Sequence, residues 1–380
     1  MIRIKSDKII SPDGLYNGYL YIDGGKILGL SKDERSADEC YDFTGKFVSP
    51  GFIDMHTHGA GGFAFMNSSA EDVVSGCNFH LNHGTTSIAP TVSACAFPTM
   101  REAVKCIAEA MRSPSLGSNI IGAHLEGPYL SAEQCGAQCP DFITPPKREE
   151  YESLITEYGD AICRWTYAPE NDFGGEFCRY ITERGIVASA GHTNAKYPDM
   201  KIAYDEGCML VTHLYSCTST VTRDHGFRSL GVIESAYLLD DMFVEIIADG
   251  KHLPLELIQM IVKIKGPERV ALITDSLEIA GTNITEGVMS GTEFIVEDGV
   301  CKLRDRSAFA GSVATADRLI RTMTLAGFDI PTAVKMLSET PANILGLNKG
   351  TLERGMDADV VVFDGDISVS DVFVMGKKVK

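Results

Sequence analysis

Between about residues 51 and 275, short apolar runs ending in polar residues alternate with longer stretches of helical character, and this constrains the fold more than any other feature. The runs are FIDMH, TTSIAPT, NIIGAHLE, ICRWTYAPE, GIVASAGH, MLVTHL, FVEIIADG and RVALITDS. Ala70 to His83 and Phe97 to Met111 are two of the intervening helical stretches. Strand-like runs separated by helices are the pattern of a parallel sheet. Eight strand-helix units in this span predict an α/β fold, a (β/α)8 barrel, in which functional groups gather at the carboxyl ends of the strands. Closure of the eighth run on the first would bring Asp275 beside His56 and His58.

The flanks differ in character. Residues 1–49 hold short alternating runs punctuated by Gly14, Gly18, Gly24, Gly25 and Gly45, and residues 349–380 hold DADVVVFD and VFVMGKKVK. They are expected to form the two halves of one small β-sandwich domain, with residues 50–348 as the barrel, because barrel termini lie close together at the surface. The stretch from Gly287 to Asp305 alternates around Asp298-Gly299 and predicts a hairpin insertion.

A length of 380 residues with 44% apolar and 23% charged residues allows a sizeable core. The net charge of -18, from 52 acidic against 34 basic residues, argues against non-specific binding to nucleic acid or to an anionic membrane surface. An anionic metabolite held by local groups remains allowed. The start MIRIKSDKII has no signal-peptide core, and no segment reaches the ~18 apolar residues of a membrane span, so a cytoplasmic protein is expected. The 11 cysteines fit reduced thiols better than a disulfide framework, and the lone C-x3-C of Cys135 and Cys139 is a weak metal signal.

Five residues with metal-binding side chains sit at expected strand ends: His56 and His58 in FIDMHTHG, Glu126 in GAHLEGP, His192 in SAGHTNA and His213 in VTHLYS. On an extended backbone the imidazoles of His56-Thr57-His58 point the same way and can grip one ion. Glu126 can bridge two ions through its two oxygens, with His192 and His213 completing the second. Asp275, in ALITDS, can ligate weakly and accept a proton. His80 and His83 near a helix end read as structural, and His124, two residues before Glu126, reads as a support for the ligands.

Taken in order, FIDMHTHGAGG, HLEGPYL, GHTNA, THLY, IADGKH, LITD and FAGS resemble the N-acetylglucosamine-6-phosphate deacetylases of the amidohydrolase superfamily, from about residue 46 to GMDADVVVFD. The H-x-H element alone is shared with dihydroorotases, hydantoinases and deaminases. HLEGP followed by THLY is more specific, and Glu126 stands where many relatives use a carboxylated lysine. The resemblance implies removal of acetate from an N-acetylated amino-sugar 6-phosphate. It assigns His56, His58, Glu126 and Asp275 to one divalent ion and Glu126, His192 and His213 to the other, one or two per subunit. Zinc is the first choice, and iron, manganese or cobalt also suit histidine and carboxylate ligands. Such ions acidify the attacking water to a pKa of ~7, and Asp275 would take its proton and return it to the leaving nitrogen.

The same resemblance extends to the substrate. Arg228 in FRSLG and His252 in IADGKH would contact the phosphate, with Arg228 supplied by the neighbouring subunit of a homodimer. Ser216 and Cys217 stand where relatives have asparagine and alanine: binding through backbone N–H groups would survive the change, whereas binding through an asparagine side chain would not. Ala137, Phe309, Ala310 and Gly311 match further substrate loops. Many members carry a histidine at the position of Gln138 that polarises the carbonyl; Gln138 offers a neutral hydrogen bond instead, which leaves the second ion to offset the oxyanion charge. The alternatives are another amidohydrolase-superfamily activity, such as N-acetylgalactosamine-6-phosphate deacetylation, cyclic-amide hydrolysis or nucleobase deamination, or a non-catalytic binding protein.

Overall fold

The computed structural model describes residues 1–289 and 292–380. All eight runs form strands: β1 (Phe52–Thr57), β2 (Thr85–Val92), β3 (Ala123–Glu126), β4 (Ile162–Tyr167), β5 (Val187–Ala190), β6 (Leu210–Val211), β7 (Phe243–Ile247) and β8 (Val270–Ile273). Each pairs in parallel with the next. The ring closes where the Asp275 N–H donates to the His56 carbonyl at 2.9 Å and the Thr274 hydroxyl donates to the Asp54 carboxylate. Asp275 thereby reaches His56 as the topology requires.

Helices cover the outside of this barrel. Ala70–Leu81 starts at a reciprocal cap between Ser69 and Asp72, and Phe97–Ala110 starts with a proline in its first turn. An apolar cluster that includes Val73, Ile107, Leu125, Trp165 and Leu319 packs helices onto strands. The barrel interior holds an apolar cluster of Met55, Ala89, Leu210, Ile247, Ala271 and Ile273 and, beside it, a polar network. Fully buried His124, Arg164, Thr166, Ser189, Thr212 and Glu245 bond to one another across five successive strands.

The chain ends meet in one eight-stranded sheet, in which Val360–Phe363 runs antiparallel to Phe47–Pro50. Ile4, Leu20, Val48, Val360 and Phe373 form its own core. At Gly51, between this sheet and β1, a Cβ would lie 2.0 Å from Thr86 Oγ1, so only glycine fits the crossing. The expected hairpin at Asp298-Gly299 is present, pairing Thr292–Glu297 with Val300–Leu303, but it belongs to a four-stranded antiparallel sheet with Glu286–Met289 and Phe309–Gly311. The wider sheet was not read from sequence because its outer strands are only four and three residues long. Ser290 and Gly291 lie outside the described residues. No helix among the described residues is long and apolar enough to cross a membrane.

Candidate functional site

The six predicted ligands converge at one end of the barrel. His56 lies in β1 and His58 just after it, Glu126 ends β3, and His192, His213 and Asp275 each follow β5, β6 and β8 by two residues. The last three have left-handed backbones, with φ of 46°, 26° and 48°. That conformation is uncommon away from glycine and clusters where function fixes the geometry.

Glu126 is the centre of the cluster. Its Oε1 lies 3.3 Å from His56 Nε2, 3.2 Å from His192 Nε2 and 3.0 Å from His213 Nε2, while its Oε2 lies 3.3 Å from His58 Nε2. Asp275 Oδ1 is 3.2 Å from His58 Nε2 and 3.6 Å from His56 Nε2. Around a tetrahedral ion with bonds of about 2.1 Å, neighbouring donor atoms lie roughly 3.4 Å apart. Two groups therefore have the spacing of metal ligands: His56, His58 and Glu126, and Glu126, His192 and His213.

The second nitrogen of each histidine supports this fit. Nδ1 of His56 bonds Glu245 Oε1 at 2.9 Å, Nδ1 of His58 bonds Ser93 Oγ at 3.1 Å, and Nδ1 of His192 and of His213 donate to the carbonyls of Gln134 and Ser216. A carbonyl or carboxylate partner fixes the hydrogen on Nδ1, which turns the Nε2 lone pair toward Glu126. His56 Nε2 is buried without a well-directed hydrogen-bond partner, as an atom awaiting an ion would be.

The charges are coupled through the same contacts. Burial disfavours the cationic form of His56, yet Glu126, Asp275 and Glu245 outweigh it and raise its pKa to about 10. The same contest, with Asp275 and Glu126 prevailing, raises His58 to about 9. Burial also opposes ionisation of Glu126, but the surrounding imidazoles, His56 foremost, hold its carboxyl well below the usual range. Without metal, protons on the imidazoles balance the carboxylates, so a binding cation must displace protons.

These groups open into a cavity of about 470 Å³, a size that suits a small metabolite. Ala137, Gln138, Ser216, Cys217, His252, Phe309, Ala310 and Gly311 all line it. Gly136, at φ 58°, lets this loop approach closely: a Cβ there would lie 2.5 Å from Cys217 Sγ. His252 Nδ1 bonds Asp249 Oδ2 at 2.9 Å and its ring lies 4.9 Å from that of Phe309.

The Gln138 side chain accepts from the Ala94 N–H at 2.9 Å and donates to Glu126 Oε2 at 2.6 Å, so its amide is engaged with the ligand carboxylate. Arg228 lies on an exposed hairpin, Thr222–Asp224 with Phe227–Ser229, and is not among the residues lining the cavity of its own chain. Cys135 and Cys139 enter neither metal-ligand group. His80 bonds Thr57 Oγ1 and the Gly59 carbonyl, His83 faces Asp317, and His124 is held between Thr91 and Thr166 with its ring 4.5 Å from that of His56.

Comparison with known proteins follows the same lines. Residues 47–380 match the Amidohydrolase family. The chain belongs to the amidohydrolase family. Within it, the chain falls among the N-acetylglucosamine-6-phosphate deacetylases. The Lysinibacillus sphaericus enzyme of that name is 31% identical over 88% of this chain and 86% of its own length. The human one is 30% identical over 100% of this chain and 95% of its own length. The solved structure of a point mutant of the Mycobacterium smegmatis N-acetyl-D-glucosamine-6-phosphate deacetylase, in complex with N-acetyl-D-glucosamine-6-phosphate, superposes with a TM-score of 0.91 at 27% identity, covering 99% of this amidohydrolase and 98% of that chain.

Sequence reasoning missed three residues of this amidohydrolase site: Arg164, Glu245 and Asp249. The signal was present for two of them. A charged residue inside an apolar run, as in ICRWTY and FVEII, must find a buried partner.

Proposed function

We propose that this protein hydrolyses the acetamide of an N-acetylated amino-sugar 6-phosphate, N-acetylglucosamine 6-phosphate first, to the free amine and acetate. One observation carries the reading: two metal-ligand groups share Glu126 and open, together with Asp275, into a cavity of monosaccharide size. Relatives with this activity in their names, matching the chain over nearly its whole length, support the choice of substrate.

His56, His58, Glu126 and Asp275 hold one divalent ion and Glu126, His192 and His213 the other, with zinc the first choice. When bound, such ions acidify water and stabilise negative charge on the carbonyl oxygen. Asp275, whose Oδ1 lies 3.2 Å from His58 Nε2, takes a proton from the attacking water and passes it to the leaving nitrogen. Asp249 accepts from His252 Nδ1 and orients its ring toward the phosphate. Cys217 offers its backbone N–H group, while the Ser216 N–H donates to the His213 carbonyl at 2.8 Å. Ala137, Phe309, Ala310 and Gly311 shape the sugar pocket. Arg228, exposed on its hairpin, reaches the phosphate of a partner subunit's substrate, which makes the working unit a homodimer. We place the protein in the cytoplasm and divide it into a β domain of residues 1–49 and 349–380 and a catalytic barrel of residues 50–348.

The test is acetate release from N-acetylglucosamine 6-phosphate, its galactosamine epimer and their unphosphorylated forms, before and after chelation. Release from the glucosamine phosphate that disappears with the metal is expected. Preference for the epimer would move the substrate assignment, and indifference to phosphate would favour a different amide hydrolase.

A further inference from the structure

The metal groups are joined from below by a buried ion pair that the chemistry of the reaction does not use. Glu245, in β7, and Arg164, in β4, are both fully buried and bond through Glu245 Oε2 and Arg164 Nη1 at 2.5 Å. The other oxygen, Glu245 Oε1, accepts from His56 Nδ1 at 2.9 Å and from the backbone N–H of His213 at 3.1 Å. His56 belongs to one metal-ligand group and His213 to the other. A single carboxylate oxygen therefore touches a ligand of each.

Arg164 fixes where that oxygen sits. Its guanidinium also donates to the Met55 carbonyl at 3.3 Å, to Ser189 Oγ at 3.1 Å and to Thr212 Oγ1 at 2.8 Å. Met55 precedes His56, Thr212 precedes His213, and Ser189 lies three residues before His192. One planar cation thus spaces the strands that deliver three of the four ligand histidines, and its fork geometry allows little freedom. Stability does not account for such a pair, because desolvating two ions in a barrel interior costs about as much as their attraction returns, and an apolar pair of similar volume would serve as well.

We propose that Glu245, oriented by Arg164, is a positioning residue that sets the spacing of the two metal-ligand groups, by holding the His56 ring with Nε2 toward Glu126 and pinning the His213 backbone. This rests on the two-ion reading given above. Removing the contact weakens ion binding while leaving the fold intact, by the 10–100-fold typical of groups that orient a ligand histidine.

Two variants of the full chain test it. Glu245→Asp keeps the charge beside Arg164 and withdraws the carboxylate from His56 by one methylene. Arg164→Met with Glu245→Leu removes both charges together and keeps the barrel interior neutral. Thermal unfolding of the metal-free proteins establishes folding, chelator competition measures zinc and Co(II) affinity, and the Co(II) visible spectrum reports ligand geometry. The expected result is near wild-type unfolding, affinity lower by 10–100-fold and an altered Co(II) spectrum in each variant. Wild-type affinity and spectrum in a folded variant would overturn the proposal, as would failure of both variants to fold, since the pair would then be structural. Wild-type protein that binds no ion would instead remove the two-ion reading itself.

Discussion

Replacing Gln138 by alanine separates two accounts of what this side chain does. Its Nε2 donates to Glu126 Oε2 at 2.6 Å and its Oε1 accepts from the Ala94 N–H at 2.9 Å, so the variant deletes one hydrogen bond to a carboxylate and one to the backbone. A bond to a charged group contributes about 1.5–3 kcal/mol. Gln138 is only half-buried and borders the cavity, where water can replace it, so the lower part of that range applies. About 1.5–2 kcal/mol corresponds to roughly 10–30-fold in an equilibrium constant. Because the bond orients Glu126, the deficit is expected in metal affinity, measured by chelator competition. The second N–H of the amide remains for substrate, so acetate release at saturating metal should fall by less than about tenfold. If Gln138 instead acted chiefly on the carbonyl, kcat would fall about 100–1,000-fold, as for loss of an oxyanion donor. Such a loss with unchanged metal affinity would refute the reasoning.

Asp275→Asn keeps the shape of the site but not its proton acceptor, so kcat is expected to drop by about 10²–10⁴ with KM little changed, checked by steady-state acetate release. Arg228→Ala should raise KM for the phosphorylated substrate roughly tenfold or more and leave an unphosphorylated one unaffected; if the arginine crosses a dimer, mixing this variant with Asp275→Asn should recover part of the activity. Burial lowers the His80 pKa from the ordinary 6.5 to about 4, so the folded chain holds His80 neutral where the unfolded chain protonates it. Stability is therefore unaffected above pH 6.5 and lost as pH falls toward 4, by about 2 kcal/mol at pH 5. Urea unfolding at pH 7.5 and 5 should show a shallower pH dependence for His80→Gln than for the wild type, and equal slopes would contradict this.

Much of this molecule was legible from its sequence. Each of the eight runs became a strand because a strand covered on both faces must be apolar along its length, and that pattern is local. The ligand types were equally local: His56-Thr57-His58 needs only an extended backbone, and Glu126, His192, His213 and Asp275 mark strand ends by breaking an apolar run. Order along the chain, together with ring closure, was enough to bring them together.

What the sequence left undetermined involves partners remote in the chain with no spacing that links them. Glu245 is 189 residues from His56 and 81 from Arg164, and only the closed barrel decides that its oxygen faces both His56 and His213. Gln138 could equally have pointed at substrate; the path of its loop turned the amide onto Glu126 and Ala94. The sequence by itself determined which elements form and which residues can bind an ion, since burial periodicity and side-chain chemistry reside in short segments. Tertiary structure alone decided how each ligand is oriented and what holds it there, because hydrogen bonds act over about 3 Å and depend on which strands the barrel makes neighbours.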